Sequence, residues 1–257
     1  MFKVFAKGNS DTISVQSLSY ISLKVNVYKD SIKISQSATG FIIKYLNKFF
    51  LITNKHVVTG INPFSGDSLF DGMVPNKISV WLPRNDKTQW ACFVYALFDS
   101  THFPKWLEKK DNELIDVVAL PIDQIEDYDF VPIDLDLQFE DVQIIVSQSV
   151  NILGFPYGIA STGMNGMLPI WKSGTIASEP EIDIDSQPYF YIDATTVKGM
   201  SGSPVIYWSQ MFRLNKQNKW VINETSFVKF LGVYSSQFPA IDIGVVWKPE
   251  VIKKIIE

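Results

Sequence analysis

TGFIIKYLNKFFLITNKHVV, residues 39–58, is the stretch on which the fold turns. It holds two apolar runs of strand length, joined by a turn at Leu46-Asn47. The second run ends at His56. Moving outward, KISVWLP (77–83) alternates, and WACFVYALF (90–98) is a dense β-branched and aromatic run. LIDVVALPI (114–122), VNILGFP (150–156), PIWKSGTIAS (169–178) and YFYIDATT (189–196) follow. SPVIYW (203–208), KWVINE (219–224), FVKFLGVYSS (227–236) and IDIGVVW (241–247) complete the series. Helix is suggested only at the chain ends and over PKWLEKKDNE (104–113). The clearest case is KPEVIKKIIE (248–257), where Pro249 suits a first turn and the apolar spacing gives one buried face. Many short strands and few helices predict an all-β barrel or sandwich.

The acidic stretch DQIEDYDFVPIDLDLQFED (123–141) divides the chain near its middle and reads as a solvated linker. The expected organisation is a β unit over 1–125 with residues 1–30 as an extension, a linker over 126–140, and a β unit over 141–257. Lys and Arg number 23 against 27 Asp and Glu, with no long run of one sign, so no basic footprint for nucleic acid or membrane exists. The single cysteine, Cys92, cannot form an internal disulfide, and its alternating strand predicts a core position. No P-loop, H-E-x-x-H or C-x-x-C motif occurs, so neither cofactor nor metal is expected. The first residues lack a signal-peptide pattern, and no segment approaches the ~18 apolar residues of a membrane span. The expected setting is the cytoplasm.

Nucleophilic catalysis by a hydroxyl needs a base, a carboxylate to orient it, and backbone donors for the oxyanion. Of the two histidines, His102 lies in a polar loop and reads as a surface residue, which leaves His56 as the base. Asp116 is an aspartate among apolar residues in LIDVVAL, and a buried carboxylate is costly unless paired. KGMSGSPV (198–205) sets Ser201 between two glycines. There Gly199 lets the chain turn so that its own N–H and that of Ser201 point into one space, as an oxyanion hole requires. Ser203 and Pro204 begin the next strand.

The order His56, Asp116, Ser201, carried by TNKHVV, IDVVAL and GMSGSP, resembles the chymotrypsin-like serine proteases, nearest the bacterial glutamyl-endopeptidase and Deg branches. The resemblance covers roughly residues 35–250. It implies two six-stranded antiparallel β-barrels with a short C-terminal helix, and cleavage of protein or peptide substrates by a serine endopeptidase. By the same resemblance, Ser235 supports Asp116, and Ser235, Ser236 and Gln237 pair with an extended substrate. Thr195, Thr196 and Tyr234 line the specificity pocket. A histidine replaces Tyr234 in glutamyl-specific relatives, and no aspartate stands at Thr195 as trypsin-like specificity requires, so an uncharged or small polar preference is expected. Met200 stands where animal relatives hold an aspartate that receives a freed N-terminus, so activation by an N-terminal salt bridge is not expected.

Two other readings share the strands. A catalytically silent module of this fold would bind a protein partner with the triad as a relic. A structural protein of two barrels gives no reason for the triad. An unguarded protease in the cytoplasm also predicts a regulatory partner. NET (223–225) matches a glycosylation sequon and reads as a turn.

Overall fold

The computed structural model describes residues 2–5, 12–34, 37–63, 65–135, 142–162, 167–209, 212–215, 217, 219–222, 226–238 and 240–257. The first half contains β1 (Phe2–Phe5), β2 (Thr12–Val15), β3 (Ser22–Lys29), β4 (Ile32–Lys33), β5 (Ala38–Tyr45), β6 (Lys48–Thr53), α1 (Lys55–Thr59), β7 (Lys77–Pro83), β8 (Trp90–Ala96) and β9 (Val118–Ile122). The second contains β10 (Ser149–Gly154), β11 (Ile170–Ile176), β12 (Tyr189–Asp193), β13 (Pro204–Ser209), β14 (Phe212–Leu214), β15 (Trp220–Ile222), β16 (Phe227–Phe238), β17 (Ile243–Trp247) and α2 (Pro249–Ile256).

The expected hairpin forms between β5 and β6. Leu46 and Asn47 have φ of 45° and 62°, the consecutive positive values of a tight two-residue turn. The first sheet runs in the order β8-β7-β3-β5-β6-β9, with β4 paired to β3. It curls into a barrel-like form. The second sheet closes fully, in the order β10-β11-β12-β17-β16-β13. The all-β expectation of two barrels with a C-terminal helix therefore holds, with one barrel closed by hydrogen bonds all round.

Apolar runs in β5 and β6 are continuous because both faces of the hairpin are buried. Ile42 and Leu51 enter the interior of the first sheet. Phe41, Ile43, Phe50 and Ile52 face a second core shared with Leu153, Ile206, Phe230, Val233 and Trp247 of the closed barrel. The rings of Phe41 and Phe230 meet edge-on there, 5.3 Å apart. A third cluster, including Ile152, Val205, Leu231 and Val246, fills the closed barrel. α2 lays Val251, Ile252 and Ile255 into the shared core, so the helix seals the joint between the halves.

Local expectations fail where tertiary pairing wins. Residues 104–113 form no helix. Pro104 bridges Phe98, Leu107 exchanges hydrogen bonds with Ala119 of β9 at 2.8 and 3.0 Å, and Trp106 is buried against Phe98. Among the described residues, the N-terminal end is strand plus one 3-10 turn at Ser17–Tyr20. Cys92 is exposed, because β8 is an edge strand and positions 92, 94 and 96 share its outer side. The acidic linker is not simply solvated. Phe130 and Leu135 are buried, and Ile133 N–H donates to Ile42 O at 2.8 Å. Residues 136–141 and the sequon at 223–225 lie outside the described residues.

Ile252→Ala should cost about 2–5 kcal/mol, since Ile252 is fully buried at the joint. Urea titration should show a lower midpoint with an unchanged slope, while the exposed Lys254→Ala stays within about 0.5 kcal/mol of wild type.

Candidate active site

His56 sits in the single turn α1, directly after β6. Asp116 lies two residues before β9, which pairs antiparallel with β6. Asp116 is thus in an extended lead-in to the strand, not within the ladder. The pairing brings it beside His56, where it has no exposed surface. Its carboxylate accepts from His56 N–H (2.8 Å), from His56 Nδ1–H (2.6 Å) and from the Ser235 hydroxyl (2.5 Å). Its backbone oxygen accepts from Asn54 Nδ2 at 2.6 Å. Because an ionised carboxylate has no proton to give, Nδ1 carries the hydrogen and Nε2 keeps the lone pair.

The Ser201 turn is built by carbonyl commitments. Val197 O accepts from Met200 N–H (3.2 Å), Lys198 O from Tyr157 N–H (2.7 Å), and Met200 O from Ser203 N–H (3.0 Å). Gly199 O and Ser201 O both accept from Thr39 of β5: its hydroxyl takes the first at 2.8 Å and its N–H the second at 2.8 Å. In a trans peptide the N–H points opposite to the C=O. The Gly199 and Ser201 N–H groups therefore point away from Lys198 O and Met200 O, the carbonyls of their own peptides, and neither has an acceptor among the described residues. Both glycines of GMSG are required. Gly199 has φ +99°, and a Cβ there would strike Phe155 O; Gly202 has φ +84°, and a Cβ would strike Thr39 O. Lys24, paired with Thr39 across the sheet, donates Nζ to Gly158 O at 2.6 Å and so braces the turn that holds Lys198. Burial lowers the Lys24 pKa, helped by nearby Lys33. Met200 is fully buried in the closed barrel's core.

His56, Asp116 and Ser201 line one cleft of about 380 Å³ with Tyr157, Thr196, Lys198 and Tyr234 to Gln237. The Ser201 hydroxyl donates to Ser235 O at 3.1 Å rather than to His56. Thr196 N–H and hydroxyl both donate to Gln237 Oε1, at 3.0 and 2.6 Å. With its one proton spent there, Thr196 Oγ1 accepts from the Tyr234 hydroxyl. Burial pushes the Tyr234 pKa up to about 12. Thr195 is exposed and lines no wall of the cleft. His102 lies in a turn closed by its N–H to Asp99 O, away from these residues. Ser203 is buried with no partner for its hydroxyl among the described residues. No group of His, Cys, Asp or Glu among the described residues could hold a metal ion. Sequence reasoning missed Thr39, Asn54, Tyr157 and the 60s loop, whose Asn62, Pro63 and Leu69 also line the cleft. A threonine at the buried start of an apolar strand was the one signal for Thr39.

Two barrel-like antiparallel sheets with a histidine–aspartate pair and a serine turn in one cleft define the trypsin-like class of peptidases. The chain belongs to the trypsin-like peptidase domain family, whose match spans residues 38–210. Among solved structures, a thermostable serine protease, AL20, from an extremophilic microorganism is 12% identical, with 93% of this chain and 97% of that one covered and a TM-score of 0.51. A serine-to-alanine mutant of Rv3671c from M. tuberculosis H37Rv, in its inactive form, is 16% identical, covering 93% and 85%, at 0.49. A Glu endopeptidase in complex with MPD is 17% identical, covering 98% and 97%, at 0.45. No curated protein sequence matches the chain.

Ser235→Ala should lower stability by about 1.5–3 kcal/mol, the range for a hydrogen bond to a charged group. Chemical denaturation checks this; an unchanged midpoint would show that Asp116 does not depend on the second barrel. Tyr234 should stay protonated to about pH 11, so the ultraviolet titration of Tyr234→Phe should match wild type below that pH.

Proposed function

We propose that the chain is a serine endopeptidase acting through Ser201, His56 and Asp116. The observation that carries this reading is His56 Nδ1 held 2.6 Å from a fully buried Asp116, with Nε2 left basic in the cleft that contains Ser201. Ser201 Oγ attacks the scissile carbonyl carbon and its proton passes to His56 Nε2. The resulting oxyanion takes hydrogen bonds from Gly199 and Ser201 N–H. His56 then gives its proton to the departing amine, leaving an acyl-enzyme. Water, losing a proton to His56, attacks the acyl carbon, and the serine departs with that proton restored. Asp116 holds the imidazole in the right tautomer and stabilises its charged form.

The substrate strand adds to β16. Its ladder with β13 ends at Val233, and the β16–β17 register shifts between Tyr234 and Gln237, so the edge at 235–237 lacks a β13 partner. A substrate N–H that takes Ser235 O displaces the Ser201 hydroxyl toward His56. The side chain before the cut meets the neutral Tyr234–Thr196–Gln237 relay. Its hydrogens are spent internally except those of Gln237 Nε2, which favours small or uncharged residues over acidic or basic ones. Among the described residues no helix is long and apolar enough to cross a membrane. A chain with one cysteine suits a reducing compartment such as the cytoplasm. One observation favours the alternative of a silent binding module: the Ser201 hydroxyl rests on Ser235 O.

A fluorophosphonate probe should label wild type and not Ser201→Ala; a folded wild type that neither labels nor cleaves peptides would make the binding module the better reading. Asp116→Asn should lower kcat by about 10⁴. His56→Ala, which removes the ring that takes the serine proton, should abolish probe labelling and peptide cleavage while Ser201 stays in place; labelling at the wild-type rate would remove His56 as the base.

A further inference from the structure

We infer that Thr39 is the positioning residue of the oxyanion donors: the first barrel, through this one side chain, sets the peptide geometry of the Ser201 turn on the second. The inference rests on the reading of Gly199 and Ser201 as those donors. The two donor N–H groups belong to the 198–199 and 200–201 peptides. Between them lies the 199–200 peptide, whose carbonyl is the one that Thr39 Oγ1 holds at 2.8 Å. That peptide is the hinge of the turn. Its first residue is a glycine at φ +99°, which meets little steric resistance to reorientation. If it rotates, Met200 N–H leaves Val197 O, and the Gly199 and Met200 torsions that relate the two flanking peptides are no longer fixed.

Thr39 is placed to prevent this from several sides. The residue has no exposed surface. Its hydroxyl donates to Gly199 O and accepts from Phe155 N–H at 3.1 Å, so both its proton and a lone pair are used. Phe155 begins the turn whose Tyr157 N–H holds Lys198 O. The Thr39 N–H holds Ser201 O, and the Thr39 carbonyl accepts from Thr53 Oγ1 at 2.8 Å, which fixes Thr39 to β6. One residue thus grips the hinge carbonyl directly, the nucleophile's carbonyl directly, and the Lys198 carbonyl through the 155–157 turn. No charge takes part, so the grip requires neither a terminal amine nor a proton.

Thr39→Val replaces the hydroxyl by a methyl and strands Gly199 O and Phe155 N–H; Thr39→Ser keeps the hydroxyl. With a peptide substrate, Thr39→Val should lose about ten- to hundredfold in kcat with KM within about twofold, somewhat less than the ~10²–10³ lost with a whole oxyanion donor. Thr39→Ser should lie within about threefold of wild type. Amide hydrogen exchange gives a second readout without turnover: Met200 and Gly202 should exchange faster in Thr39→Val, with the β5–β6 hairpin unchanged. If Thr39→Val does not fold, Thr39→Ala, which adds no methyl beside the turn, carries the same measurements. Unchanged kcat and unchanged exchange overturn the inference, as does a loss explained wholly by a smaller folded fraction. If wild type proves inactive, the endopeptidase reading falls, while exchange at Met200 and Gly202 still decides whether Thr39 holds the turn.

Discussion

The buried carboxylate of Asp116 is the constraint around which the molecule is arranged. An aspartate without exposed surface is tolerated only when donors replace the water it has lost. Those donors come from both halves: His56 contributes its backbone and ring N–H from the first sheet, and Ser235 its hydroxyl from the second. The two sheets must therefore approach to hydrogen-bond distance at one point. The shared core of Phe41, Ile52, Phe230, Trp247 and the α2 side chains supplies the apolar contact that holds them there. The donors that satisfy the carboxylate are also the groups that fix the imidazole's tautomer. The stability of the burial and the chemistry proposed for the cleft thus rest on the same bonds.

A second set of contacts crosses the same joint in the opposite sense. Thr39 and Lys24, neighbours on paired strands of the first sheet, reach loops of the second. This close approach is the reason for Gly202, since a side chain there would collide with the Thr39 carbonyl. The glycine pattern around Ser201 is therefore dictated by the partner barrel as much as by the turn itself. The cleft lies where Asp116 is bridged from one side and the serine turn is gripped from the other.

The sequence made the hairpin at 39–58, most strands and the C-terminal helix legible, because each depends on local pattern and on apolar residues that only burial explains. His56, Asp116 and Ser201 were legible for a related reason: each breaks a local rule, as a carboxylate among valines or a hydroxyl between glycines does. Residues 104–113 misled because their helix-like composition was overruled by Pro104 and by the Leu107 pairing with β9. Cys92 misled because alternation shows that a strand has two faces but not which one meets a core, and β8 is an edge. The contacts of Thr39 and those of the Thr196–Gln237 relay could not be read. Their partners lie far along the chain, 160 residues for Thr39 and Gly199, and nothing in local composition encodes such a meeting.

Met200 holds the serine turn by apolar burial. A charged residue at that position would need an opposite charge to be buried there. Here the preceding residue is apolar and buried within the core of the closed barrel, beside Val205 and Leu231. Apolar burial has no dependence on a proton or a terminal amine. Met200 anchors the turn from below and Thr39 holds its carbonyls from the side, so apolar burial and neutral hydrogen bonds do the holding.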